Sequence, residues 1–148
     1  MNGLAAGTHA IAGTVLDNAG NSTAINGSFE VAADCTQPVL SMGFSQVYWA
    51  SYNDYLSSVL SVDYLLCNNG ANDAESIQMV GSVNSSGVQL ATVVPKDVGS
   101  IASGAGCVNI TLRYQIPAGV QTFSSTLYVT AANVCGTVYS YPGPFYTP

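Results

Sequence analysis

Residues 107–116, Cys-Val-Asn-Ile-Thr-Leu-Arg-Tyr-Gln-Ile, form the stretch that decides the fold of this chain. Apolar and polar residues alternate along it. In an extended chain the side chains that point to one side are Val108, Ile110, Leu112 and Tyr114, and those that point to the other are Cys107, Asn109, Thr111 and Arg113. A period of two residues is typical of a β-strand with one face in a core and one in water. The stretch therefore predicts a half-buried strand.

The same alternation recurs along the chain. Residues 59–67 place Leu60, Val62, Tyr64 and Leu66 inward and Ser61, Asp63, Leu65 and Cys67 outward, and residues 121–131 repeat the pattern. Further strands are predicted near 9–16, 26–33, 38–47, 75–83, 88–94 and 136–141, and only 48–58 has the spacing of a helical turn. Clusters of Asn, Ser, Gly and Pro separate these runs, as turns require. Eight or nine strands predict an all-β domain, either a sandwich or a barrel, and we expect an immunoglobulin-like antiparallel β-sandwich.

Three regions differ in composition. Residues 1–34 are rich in Ala, Gly and Asn, and we interpret them as an N-terminal arm, a donor-type strand or a hairpin. Residues 35–142 carry the strand pattern of the sandwich. Residues 143–148 contain two of the six prolines and resemble an extended polyproline tail.

Composition excludes several classes of partner. The chain has 148 residues, of which 48% are hydrophobic and 7% charged, and its two basic residues, Lys96 and Arg113, face eight acidic ones for a net charge of -6. Nucleic-acid binding needs a patch of Lys and Arg that this chain cannot assemble. Electrostatic binding to a membrane surface is excluded for the same reason. No apolar run reaches the length of a membrane-spanning helix, so we expect no membrane insertion.

Four cysteines allow three disulfide connectivities. In an immunoglobulin-like sandwich the strands at 59–67 and 107–116 are antiparallel neighbours, which places Cys67 at the end of one beside Cys107 at the start of the other. Cys35 precedes the first sandwich strand and Cys135 the last, and such strands commonly run side by side. We therefore predict Cys67–Cys107 and Cys35–Cys135 disulfides and an oxidising compartment, with free buried thiols as the alternative.

Four Asn-X-Ser/Thr motifs are candidate glycosylation acceptors: Asn21, Asn26, Asn84 and Asn109. The first three lie in turn-like stretches and Asn109 lies on an outward face. Solvent-facing asparagines in a Ser/Thr-rich protein explain the motifs equally well.

The segment Val47-Tyr48-Trp49-Ala50-Ser51-Tyr52-Asn53-Asp54-Tyr55-Leu56 has the highest density of aromatic residues. If exposed, the rings of Tyr48, Trp49, Tyr52 and Tyr55 would form a stacking platform for sugars. We expect them instead to be buried and to close one end of the sandwich, because the segment leads directly into an apolar strand.

Catalytic and metal-binding patterns are weak. The chain's one histidine, His9, lies in the N-terminal arm without a nucleophile-elbow motif, so we expect no enzymatic activity. Seven acidic residues are expected to be solvated because they lie mostly at turns or outward positions: Glu30, Asp34, Asp54, Asp63, Asp73, Glu75 and Asp97. The loop at 68–75 is rich in hard oxygen ligands and leaves calcium open as an alternative, but it lacks EF-hand spacing. We expect neither metal nor cofactor.

Five stretches resemble prokaryotic surface immunoglobulin-like modules of the CARDB and DUF11 type: residues 48–55, 60–64, 68–71, 112–120 and 135–142. The resemblance covers roughly residues 35–142, about 70% of the chain. It implies a non-enzymatic role as a stalk, adhesin or anchoring element, and it brings no catalytic residues.

The N-terminal arm lies outside the resemblance and supplies the functional expectation. Its run Ala10-Ile-Ala-Gly-Thr-Val-Leu16, with Ile11, Val15 and Leu16 as apolar contacts, is suited to pair with an exposed sheet edge of another subunit. We therefore expect an extracellular, cell-surface structural subunit that associates with other protein subunits or with surface glycans. The alternative is a carbohydrate-binding module that uses residues 48–55.

Overall fold

Antiparallel strands and one short helix account for most of the computed structural model, which describes residues 4–104 and 106–146. The elements are β1 (Gly7–Leu16), β2 (Ser22–Val31), β3 (Leu40–Tyr48), α1 (Tyr52–Leu56), β4 (Val59–Asn68), β5 (Ala74–Asn84), β6 (Gln89–Leu90), β7 (Lys96–Ile101), β8 (Gly106–Gln115), β9 (Ser125–Ala132) and β10 (Val138–Tyr146). They fall into two units that divide between Asp34 and Cys35. This division coincides with the boundary expected from composition.

The first unit is a β-hairpin. Strands β1 and β2 pair in unbroken register from Gly7 opposite Val31 to Leu16 opposite Ser22. Asp17 builds the turn: its N–H donates to the carbonyl of Asn21 at 3.0 Å, and its carboxylate accepts the N–H of Ala19 at 2.9 Å. Hydrogen bonds from the side chain and backbone of Asn21 lower the pKa of the Asp17 carboxyl.

The second unit contains two four-stranded antiparallel sheets, with strand orders β3-β4-β8-β6 and β10-β9-β5-β7. An immunoglobulin domain divides its strands between its sheets in the same way, with one difference. After β5 the chain first places the two residues of β6 beside β8 and only then returns to pair β7 with β5. The predicted antiparallel β-sandwich is confirmed.

The core lies between the two sheets and consists of the inward positions of the alternating stretches. Its largest fully buried apolar side chains are Tyr64, Leu66, Ile77, Met79, Leu112, Tyr114 and Leu127. Two tyrosines carry hydroxyls into this core, where the hydroxyls of Tyr64 and Tyr114 lie 3.0 Å apart and Tyr114 lies 3.3 Å from Ser125 Oγ. Burial raises the pKa of Tyr114, although these hydrogen bonds oppose it. Each hydroxyl therefore has a hydrogen-bond partner within the core, so both tyrosines can be buried without an unpaired polar group.

Both predicted disulfides are confirmed. Cys67 and Cys107 stand directly opposite each other on β4 and β8, with Cα atoms 4.0 Å apart. The other bridge joins Cys35 to Cys135, 100 residues later in the chain. Buried Asn133 organises this junction because its side chain donates to the carbonyl of Cys35 and accepts the N–H of Cys135 at 3.0 Å.

The C-terminal stretch differs from the expected polyproline tail. Strand β10 continues to Tyr146, and residues 145 and 146 pair with β9 after a register shift that follows Pro142. Proline has no N–H to donate, but β10 is an edge strand paired on one side only, and an edge tolerates proline at a bulge. The run from 143 to 146 therefore belongs to the sheet, while residues 147 and 148 lie outside the described residues.

Candidate functional site

One face of the hairpin is apolar and exposed. Directly opposed residues in an antiparallel pair project to the same side, so the register places the following residues on one surface, which we call the hairpin apolar face: His9, Ile11, Val15, Ile25, Phe29 and Val31. The exposed fraction is 56% for Ile11, 50% for Ile25 and 40% for Phe29. Among the residues predicted for strand donation, Ile11 and Val15 belong to this face, whereas Leu16 lies on the opposite side.

The other face of the hairpin is made of small and polar residues. They are Thr8, Ala10, Ala12, Thr14, Ser22, Ala24, Asn26, Ser28 and Glu30, with Leu16 beside the turn. A two-stranded hairpin is at best marginally stable alone in water, and contiguous exposed apolar surface commonly marks an interaction site. The hairpin thus has the amphipathic character of a ribbon that packs one face against a partner.

His9 contributes to the apolar face. Its ring stacks on Phe29 with centroids 5.4 Å apart and an interplanar angle of 24°, and its Nε2 lies 2.7 Å from the carbonyl of Ala5. These contacts give the imidazole a packing role.

Three of the four aromatic side chains in the segment at 48–55 are exposed, so the expectation that they are buried was wrong. The exposed fraction is 73% for Tyr52, 56% for Tyr55 and 41% for Trp49. The reason is that α1 is a single turn with no buried residue, while Phe123 fills the core beside Tyr114, with ring centroids 5.2 Å apart.

Three of the four aromatic residues come together. Trp49 meets Tyr55 edge to face at 5.6 Å between centroids, and Tyr52 stacks on Tyr55 at 6.3 Å. Tyr48 is separate: it is half-buried and its hydroxyl lies 3.4 Å from Asp63 Oδ1. We call Trp49, Tyr52 and Tyr55 the aromatic cluster.

An open cleft adjoins the aromatic cluster. Its volume is about 570 Å³, and Trp49, Tyr55, Pro117 and Gln121 are among the residues that line it. Trp49 also lines a neighbouring pocket of about 210 Å³ that reaches Phe123. The larger cleft lies within the size range of small-molecule sites, and its flat rings together with Gln121 offer both stacking and hydrogen bonding.

Asp63 is buried, contrary to the expectation of a solvated carboxylate. It is 3% exposed, although it lies on the outer side of β4, and side chains of both flanking strands, β3 and β8, bond to its carboxylate. Gln46 Nε2 and Thr111 Oγ1 each donate to it at 2.6 Å. Burial raises its pKa, but hydrogen bonds from Thr111, Gln46, Tyr48 and Asn109 outweigh burial and lower the pKa below the ordinary value of 3.8.

Replacing this carboxylate is expected to cost stability in a pH-dependent way. We expect Asp63→Asn to lower the free energy of unfolding by about 1–3 kcal/mol at pH 7, because a charged acceptor is lost from a buried network. A lowered pKa in the folded state stabilises the fold above pH 3.8, and this contribution is lost as pH falls through the folded pKa. Urea unfolding of both proteins at pH 7 and pH 2.5 checks this, and an equal difference at the two pH values would contradict it.

The four candidate glycosylation sites differ in how their amides are used. Asn21 donates to Asp17 at 2.8 Å, Asn84 accepts from Ser125 at 2.7 Å, and Asn109 is bonded to Asp63. Asn26 is exposed on the polar face of the hairpin.

The loop at 68–75 uses its polar groups to hold its own turn. Asn68 is buried and donates to the carbonyls of Asn72 at 2.7 Å and Ile101 at 3.1 Å. Asp73 accepts the N–H of Ser103 at 2.7 Å, and Glu75 accepts the hydroxyl of Ser100 at 2.5 Å. Within residues 4–104 and 106–146, no cluster of three or more His, Cys, Asp or Glu residues is arranged to hold a metal ion.

Comparison with known protein families and with curated protein sequences finds no match for the chain. In the part of the chain that the structure describes, no helix has the length and apolar character needed to cross a membrane. Two surfaces therefore stand as the candidate sites on structural grounds: the hairpin apolar face and the aromatic cluster.

Proposed function

We propose that this protein is a non-enzymatic extracellular structural subunit whose copies associate through the N-terminal hairpin, as in a surface filament or layer. The observation that carries the proposal is the hairpin apolar face. Four of its side chains, those of Ile11, Val15, Ile25 and Phe29, are 40% to 56% exposed on one side of a regular ribbon.

The energetics favour association. Burying what is now exposed of these four side chains on a partner contributes about 1 kcal/mol each, on the scale of roughly 25 cal/mol per Å². The hairpin itself gains as well, because a third element against its face removes the instability of an isolated two-stranded ribbon.

The second unit suits a durable extracellular position. Two disulfides and the absence of a membrane-spanning helix among the described residues fit a secreted protein. A chain with only two basic residues holds together mainly through apolar sheet faces and covalent bridges, which are less sensitive to salt than surface ion pairs.

The oligomeric mass at increasing concentration tests this proposal. We expect sedimentation of the oxidised wild-type protein to show species in multiples of 15.2 kDa that grow with concentration, and elongated particles in electron micrographs. A single species of one chain's mass up to about millimolar concentration, a range that covers associations of only about 4 kcal/mol, would contradict self-assembly. It would favour instead a stalk or adhesin module.

The exposed aromatic cluster favours a second candidate function, carbohydrate binding. Tyr52 and Tyr55 already stack with an interplanar angle of 26°, and Trp49, which meets Tyr55 edge to face, lines a cleft of about 570 Å³. Aromatic faces of this kind pack against the apolar faces of sugar rings.

Trp49 provides the test of carbohydrate binding. We expect its fluorescence to change on titration with a bound oligosaccharide, since it is the chain's one tryptophan. Trp49→Ala is expected to weaken binding at least ~10-fold in calorimetry, which corresponds to about 1.4 kcal/mol. The matched control is Tyr128→Ala, which removes a 40% exposed ring from β9. Fluorescence that is unchanged across a broad glycan panel would rule out this function.

A further inference from the structure

The edge of β8 opposite β4 is largely unpaired. Strand β8 pairs with β4 along its whole length, from Gly106 to Gln115. On its other side, β6 pairs only with Tyr114 and Gln115, and residues 91 and 92 bond only Arg113. Among the described residues, no strand lies beside positions 107–111 on that side.

The backbone groups at this edge point outward at Cys107, Asn109 and Thr111. The short 4.0 Å Cα separation of Cys67 and Cys107 marks a pair that does not exchange backbone hydrogen bonds, so the N–H and C=O of Cys107 turn away from β4. Arg113 lies six residues after Cys107, so its backbone groups point to the same side of the strand. Its carbonyl accepts the N–H of Ala91 at 2.7 Å on that outer side. The two positions between them, Asn109 and Thr111, must therefore face outward too.

The other sheet edges of the sandwich carry features that discourage pairing, whereas this one does not. Edge strands are commonly protected by bulges, proline, lysine or short length. Strand β3 has a register shift after Phe44, and β10 has one after Pro142. Strand β7 is short, begins at Lys96 and pairs irregularly with β5. Residues 107–111 form a regular ladder with β4 and contain neither proline nor a charged residue.

The hairpin presents a similar edge. The N–H of Asp17 donates to the carbonyl of Asn21, the residue opposite it. Because hydrogen-bonded and non-hydrogen-bonded pairs alternate along an antiparallel ladder, the odd-numbered residues of β1 bond to β2. The even-numbered residues of β1 direct their N–H and C=O groups outward: Thr8, Ala10, Ala12, Thr14 and Leu16. Except for Leu16, their side chains form the polar face of the hairpin.

We propose that β1 of one copy pairs antiparallel with residues 107–111 of β8 in a second copy. This inference rests on the proposed self-assembly and identifies its acceptor. Opposed residues in an antiparallel pair project to the same side, so the outward-bonding residues of β1 align with Cys107, Asn109 and Thr111. Their polar side chains then continue the outer face of the sheet.

The same alignment places the hairpin apolar face on the inner side. Ile11 and Val15 then lie on the side of the sheet that carries Val108 and Ile110, which face the core. If the other alternate residues of either strand carried the outward N–H and C=O groups, the same pairing would direct this apolar face to solvent. The two edges are thus compatible both in hydrogen bonding and in the distribution of apolar side chains.

Strand β1 is favoured over β2 as the donor. The outward-bonding positions of β2 include Glu30, and a charged group at such a position opposes edge pairing. The outward-bonding positions of β1 carry no charge.

Complementation between two full-length variants tests the acceptor. Asn109→Pro removes the outward N–H and places a ring at the edge, while the ladder to β4 keeps its hydrogen bonds because position 109 does not bond to β4. We expect it to raise the concentration for half-assembly about 100-fold, and the control Asn109→Ala to change it by less than about threefold. The double variant Ile11→Asp with Phe29→Asp disables the donor and leaves the acceptor intact.

Mixing the two defective variants is expected to restore one contact only. Each variant alone stays a monomer, and the mixture forms a species of twice 15.2 kDa without longer assemblies. Assembly of Asn109→Pro at wild-type concentrations would overturn the acceptor assignment and leave the proposed self-assembly standing. A wild-type protein that never assembles would overturn both.

Amide hydrogen exchange provides a second measurement should Asn109→Pro fail to fold. In wild-type assemblies we expect the amides of Asn109 and Thr111 to exchange at least ~10-fold more slowly than in the monomeric hairpin variant. Equal exchange rates at these two amides in the two states would overturn the inference.

Discussion

Replacing Cys35 and Cys135 together by serine is expected to lower the free energy of unfolding by about 4–5 kcal/mol. The bridge spans 100 residues, and a crosslink that closes a loop of about this size removes roughly 4.7 kcal/mol of entropy from the unfolded chain. Domains of this size are stable by only 5–15 kcal/mol, so the variant is expected to approach the unfolding transition at physiological temperature. Denaturant unfolding followed by circular dichroism measures the loss.

The second disulfide provides the matched comparison. Cys67 and Cys107 are separated by 40 residues, and the same relation gives about 4 kcal/mol for replacing both by serine. This bridge also joins two strands that their hydrogen-bonded ladder already holds together. Losses below about 1 kcal/mol for either pair would show that the bridges contribute little and would contradict this view of the fold.

Introducing charge into the hairpin apolar face is expected to abolish association. In Ile11→Asp with Phe29→Asp, assembly would require two unpaired carboxylates to be buried, each at a cost of several kcal/mol. We therefore expect the concentration for half-assembly to rise at least ~100-fold, equivalent to about 2.7 kcal/mol. Sedimentation velocity on the oxidised protein measures the change.

The control adds the same charge to the opposite face of the hairpin. Ala24→Asp with Ser28→Asp places two carboxylates on the polar side of β2, where we expect the concentration for half-assembly to change by less than about threefold. At concentrations where the wild-type protein is monomeric, thermal unfolding of the sandwich should be unchanged in both variants because all four positions lie in the first unit. Equal loss of assembly in both double variants would show that charge itself, and not the apolar face, controls association.

The strands with the clearest alternation were predictable from the sequence. In 59–67 and 107–116, every inward position from Val62 to Leu66 and from Ile110 to Tyr114 is buried. The period of two also placed Cys67 and Cys107 on the same face of neighbouring strands, and the positions of Cys35 and Cys135 before the first and last sandwich strands indicated the other pair. Side-chain alternation carries this information because a one-residue shift moves a whole strand face from core to solvent.

Features that depend on distant parts of the chain were not predictable. Strand β7 has a Lys, an Asp and a Gly within six residues, and only its pairing with β5 makes it a strand. Asp63 follows the outward pattern of β4, yet neighbouring strands bury it. The aromatic cluster is apolar in sequence and exposed in the fold, because Phe123, far along the chain, occupies the core instead.

In the proposed assembly, the hairpin of one copy contacts the sandwich of another. The most direct test of this contact is photo-crosslinking in an equal mixture of ¹⁴N- and ¹⁵N-labelled full-length protein, with a photoreactive phenylalanine analogue in place of Phe29, which is 40% exposed on the apolar face. We predict crosslinked peptide pairs in which a ¹⁴N hairpin peptide is joined to a ¹⁵N sandwich peptide, and the reverse. Crosslinks to the sandwich that join only peptides carrying the same isotope would contradict the account.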